Sequence, residues 1–106
     1  MRDEALGDGD PAQLREGAIR KVLEIVNKKG LHARASAKFV QTVEKFDAQV
    51  TVTRGSETVG GNSIMGLMML SAATGTEITV EARGKQAADA MEALVELVTS
   101  GFGEED

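Results

Sequence analysis

The chain of 106 residues has no cysteine, no tryptophan and no tyrosine, and His32 is its only histidine. The absence of cysteine excludes disulfides and thiolate metal sites, and a single histidine argues against any other metal centre. The scarcity of aromatic residues argues against stacking on nucleic-acid bases. No apolar stretch is long enough to cross a bilayer, and residues 1–10 lack the apolar core of a secretory signal. We therefore expect a cytoplasmic protein with no metal, no nucleic-acid partner and no membrane insertion.

Negative charge is concentrated at the two ends of the chain. The net charge is −5, yet residues 18–103 hold ten basic and nine acidic residues, so the excess of acid lies in 1–17 and 104–106. We interpret the acidic ending as a solvated tail. The body has no dense basic stripe of the kind that binds nucleic acid. A small basic cluster near His32 suits an acidic protein partner; its members are Lys28, Lys29, Arg34 and Lys38.

The hydrophobic pattern predicts seven elements of secondary structure. Alternation indicates strands in which one face is covered and the other is wet, so the fold class is an α+β sandwich with the order β-α-β-β-α-β-α. Residues 1–17, rich in acids and glycine, are predicted to be a disordered extension before a domain over 18–106. The predicted strands are 19–26, 48–53, 57–59 and 76–82, and the predicted helices are 33–46, 64–70 and 86–99.

His32 lies where a loop turns into the first predicted helix, in the sequence Gly-Leu-His-Ala-Arg over residues 30–34. A helix start offers unpaired backbone N–H groups and the positive end of the helix dipole, which together favour an anion. Arg34 adds a planar fork of donors that matches phosphate. An ordinary helix cap would explain His32 alone. The combination favours a histidine that carries a phosphoryl group.

The second predicted helix has more large apolar residues than one face can bury. Asn62 or Ser63 can cap it. Leu67 and Leu70 are the better core candidates, and methionine is a common residue at adaptable contacts. We interpret the remaining large side chains as a patch that docks partner proteins beside His32; they are Ile64, Met65, Met68 and Met69.

Two segments together resemble a known family. Residues 30–34 resemble the active-site signature of HPr, the histidine phosphocarrier of the bacterial phosphotransferase system, and residues 62–70 resemble its second signature at the expected distance. The resemblance runs from about residue 18 to the C-terminus. It implies an open-faced β-sandwich, with a four-stranded antiparallel sheet covered on one face by three helices.

The resemblance also implies a function. Enzyme I, charged from phosphoenolpyruvate, would phosphorylate Nδ1 of His32 and form a pros-phosphohistidine, and an enzyme IIA histidine would receive the group. Arg34 would stabilise the phosphate, and Leu31 and Ala33 would join the docking patch. Such a protein is a stoichiometric carrier rather than an enzyme with its own small-molecule substrate. It needs no cofactor and is expected to be a monomer.

Ser63 resembles a position that a serine kinase, opposed by a phosphorylase, modifies in some bacteria. A regulatory binding module controlled through Ser63 is therefore an alternative to a carrier. Residues 25–30, 68–73 and 100–106 are similar to the nitrogen-related branch of the family, NPr, although the sugar-transport branch stays open. The family usually has proline after the arginine, whereas this chain has Ala35, whose N–H could be an extra donor to phosphate.

Overall fold

The computed structural model describes residues 18–104, so the predicted extension over 1–17 lies outside the described part. The described residues form four strands, three α-helices and a short final turn, in the predicted order. These elements are β1 Ile19–Glu24, α1 Ala33–Val43, β2 Gln49–Arg54, β3 Glu57–Gly60, α2 Ile64–Met69, β4 Glu77–Arg83, α3 Ala87–Thr99 and the turn Gly101–Gly103.

The four strands form one antiparallel sheet in the order β1-β4-β2-β3. Alternate side chains of the central strands are buried, such as Val50 and Val52 of β2 and Val80 of β4. The residues between them, such as Thr51, face away from the core. This alternation confirms the prediction of an open-faced sheet with one covered face.

The three helices lie on the covered face and close the core. In α1 the buried residues recur at spacings of three and four, because one face of a helix meets the sheet. In α3, Met91, Leu94 and Val98 follow the same rule. Phe39 of α1 and Phe102 of the final turn are among the largest fully buried side chains. The final turn is therefore part of the folded domain and packs against its core.

Several element boundaries differ from the prediction. β1 ends at Glu24 instead of residue 26, because the next residue, Ile25, bonds to a loop: its N–H donates to Thr76 O (2.8 Å) and its carbonyl accepts from Gly75 N (2.7 Å). β2 and β4 begin and end one residue later than predicted. α1 ends at Val43, three residues early, and continues as irregular turns.

Candidate functional site

A glycine fixes the loop that carries His32. Gly30 has a φ of +65°, and a Cβ at this position would lie 2.2 Å from the carbonyl oxygen of Ala72. The N–H of Leu31 donates to that same oxygen at 3.0 Å. Only glycine combines the left-handed backbone with this close approach. The contact places the start of α1 beside the segment that follows α2.

His32 is the N-cap of α1, so the structural and the functional interpretations of this residue hold together. Its carbonyl accepts from Ser36 N at 2.8 Å, and its ring nitrogen Nδ1 accepts from the backbone N–H of Arg34 at 3.3 Å. Nε2 lies 2.6 Å from Oε2 of Glu104. A backbone N–H can only donate and a carboxylate can only accept, so this pair of partners assigns the proton to Nε2. The lone pair of Nδ1 therefore points to the start of the helix.

Glu104 was not predicted as a site residue. The interpretation of the acidic ending as a solvated tail is wrong for Glu104, whose side chain is 10% exposed and contacts His32. Its other carboxylate oxygen accepts from Nδ2 of Asn27 at 3.1 Å. Asn27 is almost fully buried, and its Nδ2 also donates to the carbonyl of Gly30 at 2.9 Å. One amide thus links the His32 loop to the side-chain carboxylate of Glu104.

The environment of Glu104 keeps its carboxyl group ionised. Burial alone would raise its pKa, but the hydrogen bonds from His32 and Asn27 and the electrostatic effects of His32 and Lys38 outweigh burial and lower the pKa below the ordinary value of 4.5. The carboxylate is therefore negative at neutral pH. Any stability that it contributes is present above about pH 4.5 and is lost as the pH falls through the lowered pKa.

Arg34 lies two residues into α1 with an exposed side chain. Within residues 18–104 its guanidinium makes no hydrogen bond or ion pair. It can therefore turn towards an anion at the helix start without breaking a native contact. Lys29 lines a hollow of about 210 Å³ together with His32, Ser71 and Ala72, so positive charge flanks the ring on that side as well.

Ser63 caps α2, as predicted, since its Oγ accepts from Gly66 N at 2.9 Å. The helix ends where Ser71 adopts a φ of +54°, which no sequence signal indicated. α2 packs against α1 and leaves four apolar side chains exposed, whereas Leu67 and Leu70 are buried. We call these four residues the docking patch; their exposed fractions are 41% for Ile64, 68% for Met65, 39% for Met68 and 69% for Met69.

Two expectations around His32 are wrong. Leu31 was assigned to partner docking, but it is 4% exposed and packs in the core, because the Gly30 turn directs its side chain inward. Ala35 was expected to offer an extra N–H donor to phosphate. It is fully buried on the sheet-facing side of α1, so its N–H is covered. Ala33 is exposed at the helix start, where a partner can touch it.

Over residues 18–104 no group of three or more side chains is arranged to hold a metal ion. None of the helices there combines the length and the apolar character that crossing a bilayer requires. The site is thus built from one histidine, one carboxylate, one amide, a helix start and nearby cations.

This arrangement defines a class of protein. A small open-faced sandwich presents one histidine at a helix start, and residues 19–100 match the family described as the PTS HPr component phosphorylation site. The chain is 52% identical over 86 residues to the phosphocarrier protein HPr of Neisseria meningitidis, a match that covers 81% of this chain and 97% of that protein. It is 36% identical to the phosphocarrier protein NPr of Klebsiella oxytoca over 88 residues, covering 82% and 98% of the two chains.

The solved structures agree with the curated relatives. The crystal structure of HPr-C-His from Thermoanaerobacter tengcongensis is 43% identical, covers 83% of this chain and 99% of its own, and superposes with a TM-score of 0.79. The chain therefore belongs to the HPr family of phosphocarrier proteins of the phosphotransferase system.

Proposed function

We propose that His32 accepts a phosphoryl group from enzyme I on Nδ1 and passes it to a histidine of an enzyme IIA. The observation that carries this proposal is the orientation of the ring. Nδ1 faces the N-terminus of α1, where backbone N–H groups and Arg34 can receive an anion, and Nε2 is occupied by Glu104. The protein then acts as a cytoplasmic monomer that is itself phosphorylated, rather than as an enzyme with a small-molecule substrate.

The transfer is an in-line displacement at phosphorus. The lone pair of Nδ1 forms the new N–P bond while the bond to the donor breaks and its electron pair stays on the donor. The N–H of Arg34, which donates to Nδ1 in the resting protein, can turn to a phosphoryl oxygen. The guanidinium of Arg34 and the helix start then stabilise the charge on the equatorial oxygens. The carrier needs no metal of its own for this step.

Incubation with enzyme I and labelled phosphoenolpyruvate tests the proposal. Wild-type protein is expected to gain one acid-labile, base-stable label that maps to the peptide containing His32, which is the only histidine of the chain. A parallel treatment with a serine kinase and ATP, followed by mass mapping, tests the regulatory module: acid-stable label on Ser63, with none on His32 from enzyme I, would support that module instead. The absence of any label would overturn the carrier assignment.

The downstream partner is proposed to belong to the nitrogen-related branch, which residues 25–30, 68–73 and 100–106 support. The sugar-transport branch is the second candidate, since the chain is 52% identical to an HPr of Neisseria and 36% identical to an NPr of Klebsiella, so the nitrogen-related name is not the better match. Phosphorylated protein should be mixed in parallel with enzyme IIA proteins of both branches. Faster transfer to the nitrogen-related acceptor supports the first assignment, and faster transfer to a sugar-specific acceptor supports the second.

Ser63 is proposed as a regulatory phosphorylation site at the edge of the docking patch. A phosphate there would place negative charge beside exposed apolar side chains and repel an acidic partner surface. We predict that Ser63→Asp, which keeps a capping side chain, slows phosphorylation by enzyme I about tenfold or more. Ser63→Ala should transfer at the wild-type rate although it loses about 1 kcal/mol of stability with the cap. Equal rates of phosphorylation by enzyme I for Ser63→Asp and wild type would contradict the regulatory role of Ser63.

The docking patch predicts a further effect on binding. Met65 and Met69 are the most exposed of its residues, so replacing both by serine removes apolar area that a partner would bury. We expect the KM for phosphorylation by enzyme I to rise about tenfold with little change in kcat or in Tm. Val22→Ser is the matched control, since Val22 is 58% exposed on the uncovered face of the sheet. If Val22→Ser raised the KM as much as the double variant does, the docking patch would not be the surface that binds enzyme I.

A further inference from the structure

The contact between Glu104 and His32 is held in place from three sides. The final turn, over Gly101–Gly103, takes positive φ values at all three residues, and Phe102 at its centre is 1% exposed. Nζ of Lys38 donates to the carbonyl of Phe102 at 2.7 Å and ties the turn to α1. Nδ2 of Asn27 donates a hydrogen bond to the other carboxylate oxygen of Glu104. The carboxylate therefore meets the ring from an anchored turn and not from a free tail.

The contact with Glu104 also favours a proton on one particular nitrogen of the His32 ring. The ionised carboxylate accepts from Nε2 at 2.6 Å, so it favours a proton on that nitrogen in every state of the ring. The nearby charged groups are cationic: Lys29 lines the same hollow as His32, Lys38 lies close enough to lower the pKa of Glu104, and Arg34 follows His32 by two residues in α1. Among residues 18–104, Glu104 is the one carboxylate in hydrogen-bond contact with His32.

We propose that Glu104 is a positioning residue for phosphoryl transfer, which keeps the proton on Nε2 of His32 before attack, in the phosphorylated state and during delivery. The proposal rests on the phosphorylation of Nδ1 proposed above. Before attack, the neutral ring with its proton on Nε2 has its lone pair on Nδ1, the nitrogen that faces the helix start. The wrong tautomer would place the proton where the phosphorus must bind.

After attack, the ring of His32 carries a positive charge, and this gives Glu104 a second role. Formation of the Nδ1–P bond uses the ring lone pair while the proton stays on Nε2, so the ring becomes a cation and Glu104 becomes its counter-ion. On delivery the Nδ1–P bond breaks, its electron pair returns to Nδ1, and the ring departs as a neutral imidazole. If Nε2 lost its proton first, the leaving group would be an imidazolate, which is far poorer. Glu104 therefore keeps the phosphohistidine ready for transfer.

Glu104→Gln tests this role, because glutamine keeps the size of the side chain and removes its charge. In the phosphorylated protein, labelled with nitrogen-15, we expect the Nε2 resonance to move in the variant, because a neutral amide oxygen is a weaker acceptor than a carboxylate. Transfer to the acceptor should slow about tenfold. Glu96→Gln, at an exposed position of α3, should match wild type in both measurements.

The outcomes separate the two proposals. If enzyme I labels His32 in wild type and in Glu104→Gln, and both show the same Nε2 resonance and the same rate of transfer, the role of Glu104 is overturned while the carrier function stands. If wild-type His32 takes no label, the carrier function fails and the role of Glu104 fails with it. Nitrogen-15 shifts of the unphosphorylated ring give an independent readout, since the variant should show a weaker preference for the Nε2-protonated tautomer, held then by the Arg34 N–H that donates to Nδ1.

Discussion

The variant His32→Ala is expected to take up no acid-labile phosphoryl group from enzyme I, a complete loss of the wild-type reaction. The chain has no second histidine that could substitute, and alanine has no lone pair to attack phosphorus. The side chain makes two hydrogen bonds, the 3.3 Å cap of α1 and the 2.6 Å contact with Glu104. The fold should survive their loss, because the carboxylate of Glu104 keeps its hydrogen bond from Asn27. Loss of a cap costs about 1 kcal/mol, which lowers the Tm of a domain of this size by roughly 4–8 °C.

Two comparisons make this result specific to His32. Ser63→Ala removes the other helix cap near the site and should still be labelled in full. The circular dichroism spectrum of His32→Ala should match that of wild type at 25 °C. Acid-labile label in His32→Ala would contradict the assignment, because it would have to reside on a residue that the structure does not place at the anion site.

Replacing Arg34 by alanine should slow phosphorylation by enzyme I roughly 10- to 100-fold. The guanidinium is exposed and unengaged within residues 18–104, so the substitution breaks no native contact and tests the transition state directly. A charge-assisted hydrogen bond to a phosphoryl oxygen is worth about 1.5–3 kcal/mol, and each 1.36 kcal/mol corresponds to about tenfold in rate. Arg34→Lys should recover part of the rate, because lysine restores the charge without the fork.

Lys45→Ala is the matched control for Arg34. It removes one exposed cation just beyond the opposite end of α1, so it changes the net charge equally and leaves the anion site intact. Its transfer rate should stay within twofold of wild type at 0.1 M salt, because charges beyond about 10 Å are screened there. An Arg34→Ala rate equal to that of Lys45→Ala would remove the assigned role of Arg34.

The parts of the site that the sequence predicts are local ones. His32, the helix start and Arg34 lie within a few residues, so the turn of the chain is enough to bring them together. The alternation in β2 and β4 likewise determines which side chains are buried, because the period of a strand is fixed. The excess of apolar residues in α2 indicates exposure, since a helix of six residues has only one face to bury.

The parts that the sequence does not predict depend on tertiary packing. Glu104 and His32 are 72 positions apart, and nothing in an acidic ending indicates that one carboxylate folds back. The available signal is Phe102 between two glycines, a pattern that fits a tight turn with an apolar anchor. The buried positions of Leu31 and Ala35 follow from the direction of the Gly30 turn, which is determined by its contact with Ala72.

The proposed mechanism places the phosphoryl group on Nδ1 of His32. Phosphorus-31 and nitrogen-15 NMR of the protein phosphorylated by enzyme I tests this placement, because the one-bond coupling between phosphorus and nitrogen identifies the bonded atom. The structure predicts coupling to Nδ1, with Nε2 still protonated and bound to Glu104. Coupling to Nε2 would contradict the account, since it would require the ring to leave Glu104 and turn away from the start of α1.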